Sequence, residues 1–241
     1  IKRTLDIFLS TLGILFFLPI ITIFIVIIFF SDFSNPLYTP KRVGKNNKEF
    51  RMIKLRSMSI NADKSGIDST SSNDERITPI GHIIRKIKLD EITQLFNVLY
   101  GSMSLVGPRP NTISETELYT DVEKDLLSVK PGITDLSSII FSDEGYILKN
   151  SNDPDLLYNQ IIRPWKSRLG LFYIKNSNLI LDIKLILLTI ISMFSKNTAL
   201  NQITIILENN DADIELIQIA KRNSKLYAFP PPGSNRIVNK R

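Results

Sequence analysis

IFLSTLGILFFLPIITIFIVIIFF, the run from Ile7 to Phe30, contains no charged residue. As a straight helix it would extend about 36 Å, slightly more than the roughly 30 Å hydrocarbon core of a bilayer. A cleavable leader is disfavoured, because the run is too long and no small-x-small site follows it. Pro19 stands near its middle, where it removes one backbone hydrogen bond and crowds the Leu15 carbonyl. Basic residues flank both ends, Lys2 and Arg3 before and Lys41, Arg42, Lys45 and Lys48 after. That charge pattern favours both ends on the cytoplasmic side. A kinked span and a re-entrant helix broken at Pro19 both remain open on the residues alone.

Outward from this segment the chain is more polar. Its 241 residues suit one compact domain or two small ones. With no cysteine and His82 as the single histidine, disulfides and thiolate chemistry are excluded and a structural zinc site is disfavoured. A metal here should be a hard ion on carboxylates, Mg²⁺ first. The net charge of +6 favours anionic partners: lipid headgroups, phosphorylated substrates or nucleic acid. The chain lacks an aromatic stacking platform or a reading helix, so no nucleic-acid partner is expected.

Tyr38 to Met58 reads as one or two short strands turning at Lys45-Asn46-Asn47, and Ser59 to Asp74 as a polar loop. Thr78-Pro79 is a helix start, followed by Ile80, Ile83, Ile84 and Ile87 at helical spacing. A second helix should begin near Asp90, carry Ile92, Leu95, Phe96 and Leu99 on one face, and stop at Gly101. A short helix is expected over 115–127, and 153–175 should be helical with a break at Pro164. Leu179 to Phe194 is apolar but short for a span, so it should lie on the membrane surface or pack on the first segment. Further on, Ile203 to Leu207 suggests a strand, Ala212 to Arg222 a helix, and Phe229 to Gly233 a rigid turn.

The chemistry concentrates at Lys88-Leu89-Asp90-Glu91. Adjacent helical carboxylates diverge by about 100°, so they cannot act as one clamp and need separate tasks. One can attack phosphorus while its neighbour binds a metal that neutralises phosphates. Lys88, Arg85 and Arg109 are placed to hold diphosphate charge. The plainer reading makes Asp90 a helix N-cap. Gly107-Pro108-Arg109-Pro110 shifts the balance, since flanking prolines fix the backbone and pre-organise a guanidinium. Phe50 to Met58 alternates basic and apolar residues as a strand with one charged face would.

Taken in order, these features resemble the bacterial sugar transferases, the monotopic polyprenyl-phosphate phosphoglycosyl transferases. The resemblance rests on Lys2-Arg3 with Asp6, the proline-broken apolar segment, Lys54-Leu55-Arg56-Ser57-Met58, Arg76-Ile77-Thr78, Gly81 and Arg85. It continues through Leu89-Asp90-Glu91, Gln94 to Leu99, Gly101 to Pro110, and Lys130-Pro131-Gly132-Ile133-Thr134, covering about residues 1 to 195. It implies a mostly α fold with a small β element: a re-entrant membrane helix hairpin over 1–35, broken at Pro19, and a compact cytoplasmic α/β catalytic domain over 36–196 with membrane-surface helices. Residues 197–241 form an extension of unknown role. The implied reaction moves a sugar 1-phosphate from a UDP-sugar donor to polyprenyl (undecaprenyl) phosphate at the bacterial inner membrane, releasing UMP. Asp90 would be the nucleophile, forming a phosphosugar-aspartyl intermediate. Glu91 would hold Mg²⁺, and Lys54, Arg85 and Arg109 the phosphates. A homo-oligomer stays open, and the alternative is a non-catalytic membrane scaffold of a glycan pathway.

The chain departs from the family pattern at several points. Leu18 precedes the hairpin proline where many members carry serine, leaving Thr22 or Thr11 to supply a hydroxyl. Ile92-Thr93 follows the acidic pair in place of the frequent hydrophobic-Pro pair. Asp135-Leu136-Ser137-Ser138 replaces the usual Gly-aromatic-Ala-Gln, and Asp143-Glu144 occupies a region expected to face the sugar.

Overall fold

The computed structural model describes residues 1–66 and 68–239. They are mostly helical, with three two-stranded sheets among them. Helix α1 spans Lys2–Asp32 and runs through Pro19. Its buried residues, Asp6, Ser10, Ile14, Ile21 and Ile28, recur at helical spacing and form one stripe. Phe8, Phe16, Ile23 and Phe30 are exposed on the remaining surface.

Strands β1 (Leu37–Tyr38) and β4 (Lys54–Leu55) pair antiparallel, as do β2 (Lys41–Val43) and β3 (Glu49–Arg51). The second pair turns through a 3-10 segment at Lys45–Asn47, where Asn46 and Asn47 take left-handed φ angles. Helices α2 (Pro79–Lys86), α3 (Leu89–Ile92) and α4 (Leu95–Tyr100) follow. Thr78 caps α2 by accepting from the Gly81 N–H at 3.0 Å, and Gly101 ends α4 at φ 85°. The helix expected from Asp90 is thus divided at Thr93-Gln94. Asp90 is not its N-cap; that position belongs to Lys88.

Strand β5 (Ser104–Val106) pairs in parallel with β6 (Gly132–Thr134). Between them lie α5 (Ile113–Glu117) and a 3-10 turn at Glu123–Ser128, so the single helix expected over 115–127 is two pieces. Then come α6 (Leu136–Ile140), α7 (Glu144–Ile147), α8 (Pro154–Ile161), α9 (Arg163–Asn176) and α10 (Leu179–Phe194). The α8–α9 break falls at Ile162, just before Pro164.

Both ends of α1 are tied to this domain. Arg3 donates to the Val98 and Leu99 carbonyls, in the last turn of α4, at 2.5 and 2.8 Å. Lys2 pairs with Asp182 of α10 at 2.7 Å. The Asp6 carboxylate accepts from Ser104 Oγ at 2.9 Å and the Leu105 N–H at 3.0 Å. At the far end Asp32 meets the Arg56 guanidinium with two bonds, at 2.5 and 2.6 Å. The Thr22 and Thr11 hydroxyls donate to the Leu18 and Ile7 carbonyls, so neither takes the Leu15 carbonyl that Pro19 leaves without its partner.

The extension continues as α11 (Lys196–Glu208) and α12 (Ile214–Lys221). The strand expected at 203–207 is therefore helix. A β-branched run there mimics a strand, but Ala199, Leu200, Ile203 and Leu207 fall on one helical face and enter the main core beside Leu136, Ile162, Trp165 and Leu185. Beyond α12, Phe229 stacks on Trp165 at 4.4 Å with Arg168 over its ring, and Thr120 Oγ1 donates to the Pro232 carbonyl. Deeper in, Arg163 and Glu123 form a wholly buried pair whose remaining polar atoms bond Ser167, Asn159 and Leu118. Removing one partner of such a pair costs about 3–5 kcal/mol, because the other charge is stranded.

Two changes should expose these dependencies. A chain ending at Lys196 uncovers the core face that α11 and α12 close, so its thermal midpoint in detergent should fall well below that of the full chain. A Cβ at Gly81 would sit 1.9 Å from the Ser57 carbonyl oxygen. Gly81→Ala is expected to cost about 3 kcal/mol or more, the top of the overpacking range, read by chemical denaturation.

Candidate active site

The chain turns sharply between α2 and α3. Lys88 adopts φ 54°, a left-handed conformation that costs a non-glycine residue about 1–2 kcal/mol. This turn brings Arg85, in the last turn of α2, and Asp90, in the first turn of α3, to one cleft of about 490 Å³. Lys54 of β4 and Arg109 line the same cleft. Four of the six residues that the sequence singled out for chemistry thus line one cleft. Glu91, which diverges as helical spacing requires and pairs with Arg109, and Lys88, which forms the turn itself, are not among its lining residues.

Arg109 organises the pair. Its guanidinium donates to Glu91 Oε1 at 2.9 Å and to the Ile133 carbonyl at 2.5 Å, linking α3 to β6. The loop carrying it continues the β5–β6 pairing: the Gly107 N–H donates to Thr134 and the Gly132 N–H to Pro108. A Cβ on Gly132 would fall 2.1 Å from the Gly107 nitrogen, so this close backbone approach requires glycine. On the other side Arg85 Nε donates to Ser57 Oγ at 3.0 Å. By contrast, no hydrogen bond or ion pair from any described residue reaches the Asp90 carboxylate.

Asn97 is the residue whose part the sequence reading missed. Its side chain accepts from the Ile53 N–H at 2.8 Å and donates to the Arg51 carbonyl at 2.8 Å. Thr93 Oγ1 donates to the Ile53 carbonyl at 3.0 Å. Together they fix the backbone just before Lys54 against α3 and α4. The available signal was a buried amide among Leu95, Phe96, Val98 and Leu99, since such a group needs backbone partners. Of the Asp143-Glu144 pair, only Glu144 lines the cleft. Asp143 turns away to Lys196 and Arg222, each at 2.9 Å.

Burial pushes the Asp90 carboxyl above its usual range, with Lys54, Arg85 and Arg109 opposing and Glu91 reinforcing the rise. Burial would also raise Glu91, but Arg109, Lys88 and Lys54 outweigh it and hold that carboxyl below its usual range. Burial lowers Lys54 to about 8 despite the nearby Asp90. The result is one carboxyl lining the cleft and held above its usual range, one neighbouring carboxyl held below it, and three basic groups around them.

No group of three or more His, Cys, Asp or Glu occurs among the described residues. Mg²⁺ is commonly held by one or two carboxylates, with waters and substrate phosphate oxygens completing its shell. Glu91 has one carboxylate oxygen beyond its bond to Arg109, so the donor set fits a substrate-completed site.

Residues 1–196 match the family model described as Bacterial sugar transferase. A Bacillus subtilis protein provisionally named undecaprenyl-phosphate N-acetylgalactosaminyl 1-phosphate transferase is 44% identical over 119 residues, 49% of this chain and 66% of its own length. Galactosyl transferase CpsE of Streptococcus agalactiae is 37% identical over 200 residues, 78% of this chain and 41% of its own. The UDP-N-acetylgalactosamine-undecaprenyl-phosphate N-acetylgalactosaminephosphotransferase of Aeromonas hydrophila is 33% identical over 194 residues, 79% of this chain and 43% of its own. The chain spans less than two thirds of the length of each.

The cleft amine gives a direct test. Lys54 should carry its proton below about pH 8 and lose it above, removing one of the cleft's positive charges. Reductively ¹³C-methylated lysines, followed by NMR against pH, should show one resonance with that midpoint, absent in Lys54→Arg.

Proposed function

The chain belongs to the bacterial sugar transferase family, and from that premise we propose that it moves a sugar 1-phosphate from a UDP-sugar to undecaprenyl phosphate. The observation that carries the reading is the division between neighbours: Asp90 faces the cleft with a free carboxylate, while Glu91 is held by Arg109 at 2.9 Å.

In the first step an Asp90 carboxylate oxygen attacks the β-phosphorus. The bond from that phosphorus to the bridging oxygen breaks, and the electron pair leaves on UMP. The product is a phosphosugar-aspartyl anhydride. A phosphate oxygen of undecaprenyl phosphate then attacks the same phosphorus and returns the Asp90 carboxylate. Both nucleophiles are anions, so neither step needs a general base. Lys54, Arg85 and Arg109 offset the charge gathered around phosphorus. Glu91 would hold Mg²⁺, which when bound neutralises the diphosphate oxygens.

The membrane reading follows from α1. At 1.5 Å per residue its length is about 46 Å, enough to set the ends of a spanning helix on opposite faces of a bilayer. Yet Arg3 at one end and Asp32 at the other bind the same domain. A domain at one membrane face reaches both ends when the helix enters and leaves on that face, and the easiest bend is at Pro19. The exposed Phe8, Phe16 and Phe30, with Ile180, Leu187 and Phe194 of α10, would lie in lipid. The enzyme would then be monotopic, with its domain on the cytoplasmic face of the inner membrane. A scaffold role has less support, because the extension that suggested it closes the core.

With membranes, a matching UDP-sugar and undecaprenyl phosphate, the nucleotide released should be UMP. Asp90→Asn should lower its release by about three orders of magnitude or more, the scale of losing a covalent nucleophile. Release of UDP would contradict phosphosugar transfer.

A further inference from the structure

Most basic side chains that line the cleft already have a partner. Arg56 is paired with Asp32, Arg76 with Asp74, Arg109 with Glu91 and Lys166 with Glu144. Arg85 donates to Ser57 Oγ. Lys54 and Arg42 are left, neither with a side-chain hydrogen bond or ion pair to a described residue. Asp90 acts on Lys54 and Arg85, so those two answer to the nucleophile. The carboxylate with a claim on Arg42 is Glu115, which feels Arg42 first among the surrounding charges. Yet the Glu115 carboxylate accepts from the Thr112 N–H at 3.0 Å and the Thr112 hydroxyl at 3.2 Å, closing the first turn of α5. Burial also pushes that carboxyl above its usual range, so it offers little charge to Arg42.

Backbone pairing sets where Arg42 stands. It lies on β2 opposite Phe50 of β3, and the Val43 N–H beside it donates to the Asn111 carbonyl at 3.1 Å. Strand β2 is thereby tied to the loop that carries Arg109. Tyr38 of β1 is the direct partner of Lys54 of β4, and such cross-strand partners leave the sheet side by side. Tyr38 is 39% exposed and lines the cleft together with Arg42. Arg42 acts on both Tyr38 and Lys54, so the guanidinium, the ring and the ammonium are neighbours. Two cations held this close repel each other, and an anion that serves both relieves the cost.

We propose that Arg42 binds the α-phosphate of the donor and Tyr38 its uracil, so that together they hold the UMP that leaves. The inference rests on the function proposed above. A diphosphate is charged at both phosphorus centres, and Asp90 attacks only the β one. A cation beside Lys54 but without a claim from Asp90 therefore meets the phosphate on the nucleotide side. A neutral sugar would give that guanidinium no charge to meet, whereas phosphate oxygens accept both prongs of its fork. When the bond from the β-phosphorus to the bridging oxygen breaks, the electron pair stays on the α-phosphate. Arg42 stabilises the charge that grows there. The Tyr38 ring suits a pyrimidine, because stacking on an aromatic face needs no further contact to the base.

The test uses the full chain in detergent with Mg²⁺. Affinities for UMP and for uridine are read by ligand-observed NMR, beside kinetics with a matching UDP-sugar and undecaprenyl phosphate. Arg42→Gln should weaken UMP about tenfold, the scale of losing a charge-assisted hydrogen bond, and lower kcat/KM for the UDP-sugar in step. Uridine affinity and kcat/KM for undecaprenyl phosphate should stay as in wild type, which a general loss of folding would not spare. Arg42→Lys keeps the charge and should recover part of the UMP affinity. Tyr38→Ala should weaken UMP and uridine alike, by about tenfold. Unchanged UMP binding in Arg42→Gln, or a loss confined to undecaprenyl phosphate, would overturn the site and leave the phosphosugar reaction standing. Release of UDP by wild type would instead remove the reading on which the site rests.

Discussion

Adjacent residues on a helix cannot aim at one point, and the site is built around that constraint. Asp90 and Glu91 leave α3 about 100° apart. Arg109 takes one of them and leaves the other to the cleft. The guanidinium can do this because its loop is an extension of the β5–β6 pair, packed so closely that Gly107 and Gly132 leave no room for a Cβ. The left-handed Lys88 turn supplies the remaining part, swinging Arg85 to the same wall as Asp90. Strain, close packing and ion pairing thus converge on Asp90, whose carboxylate has no hydrogen-bond or ion-pair partner among the described residues. Such a carboxylate is costly in a folded protein unless a ligand or reaction uses it.

The same domain accounts for the unusual first helix. Its apolar surface is far larger than the stripe it buries, and its ends are polar and fully engaged. Lys2, Arg3 and Asp6 bind α4, β5 and α10, while Asp32 binds Arg56 on the residue after β4. Arg56 is flanked by Leu55 and Ser57, both at the cleft. The apolar helix and the basic cleft are therefore neighbours in structure, as the proposed reaction between a water-soluble donor and a lipid acceptor requires.

Local chemistry made much of this legible beforehand. Thr78-Pro79, Gly101 and Pro164 mark helix limits through capping, left-handed φ and a missing N–H, none of which depends on distant packing. The candidate residues Lys54, Arg85, Asp90 and Arg109 meet in one cleft. Three features were hidden because tertiary contacts decide them. Ile203 to Leu207 has a strand-like composition, but the core beside Trp165 offers a helical face. Asn97 looked like a polar interruption until its backbone partners near Ile53 were visible. Asp143 and Glu144 could not be told apart in sequence, since only the positions of Arg222 and Lys166 separate their directions.

The most direct test of the account is the intact mass of the purified full chain after exposure to a matching UDP-sugar without lipid acceptor. A mass increase equal to one phosphosugar, mapped by peptide fragmentation to Asp90 and discharged by undecaprenyl phosphate, is the expected result. Turnover with no adduct on Asp90, or an adduct at another residue that persists in Asp90→Asn, would contradict it.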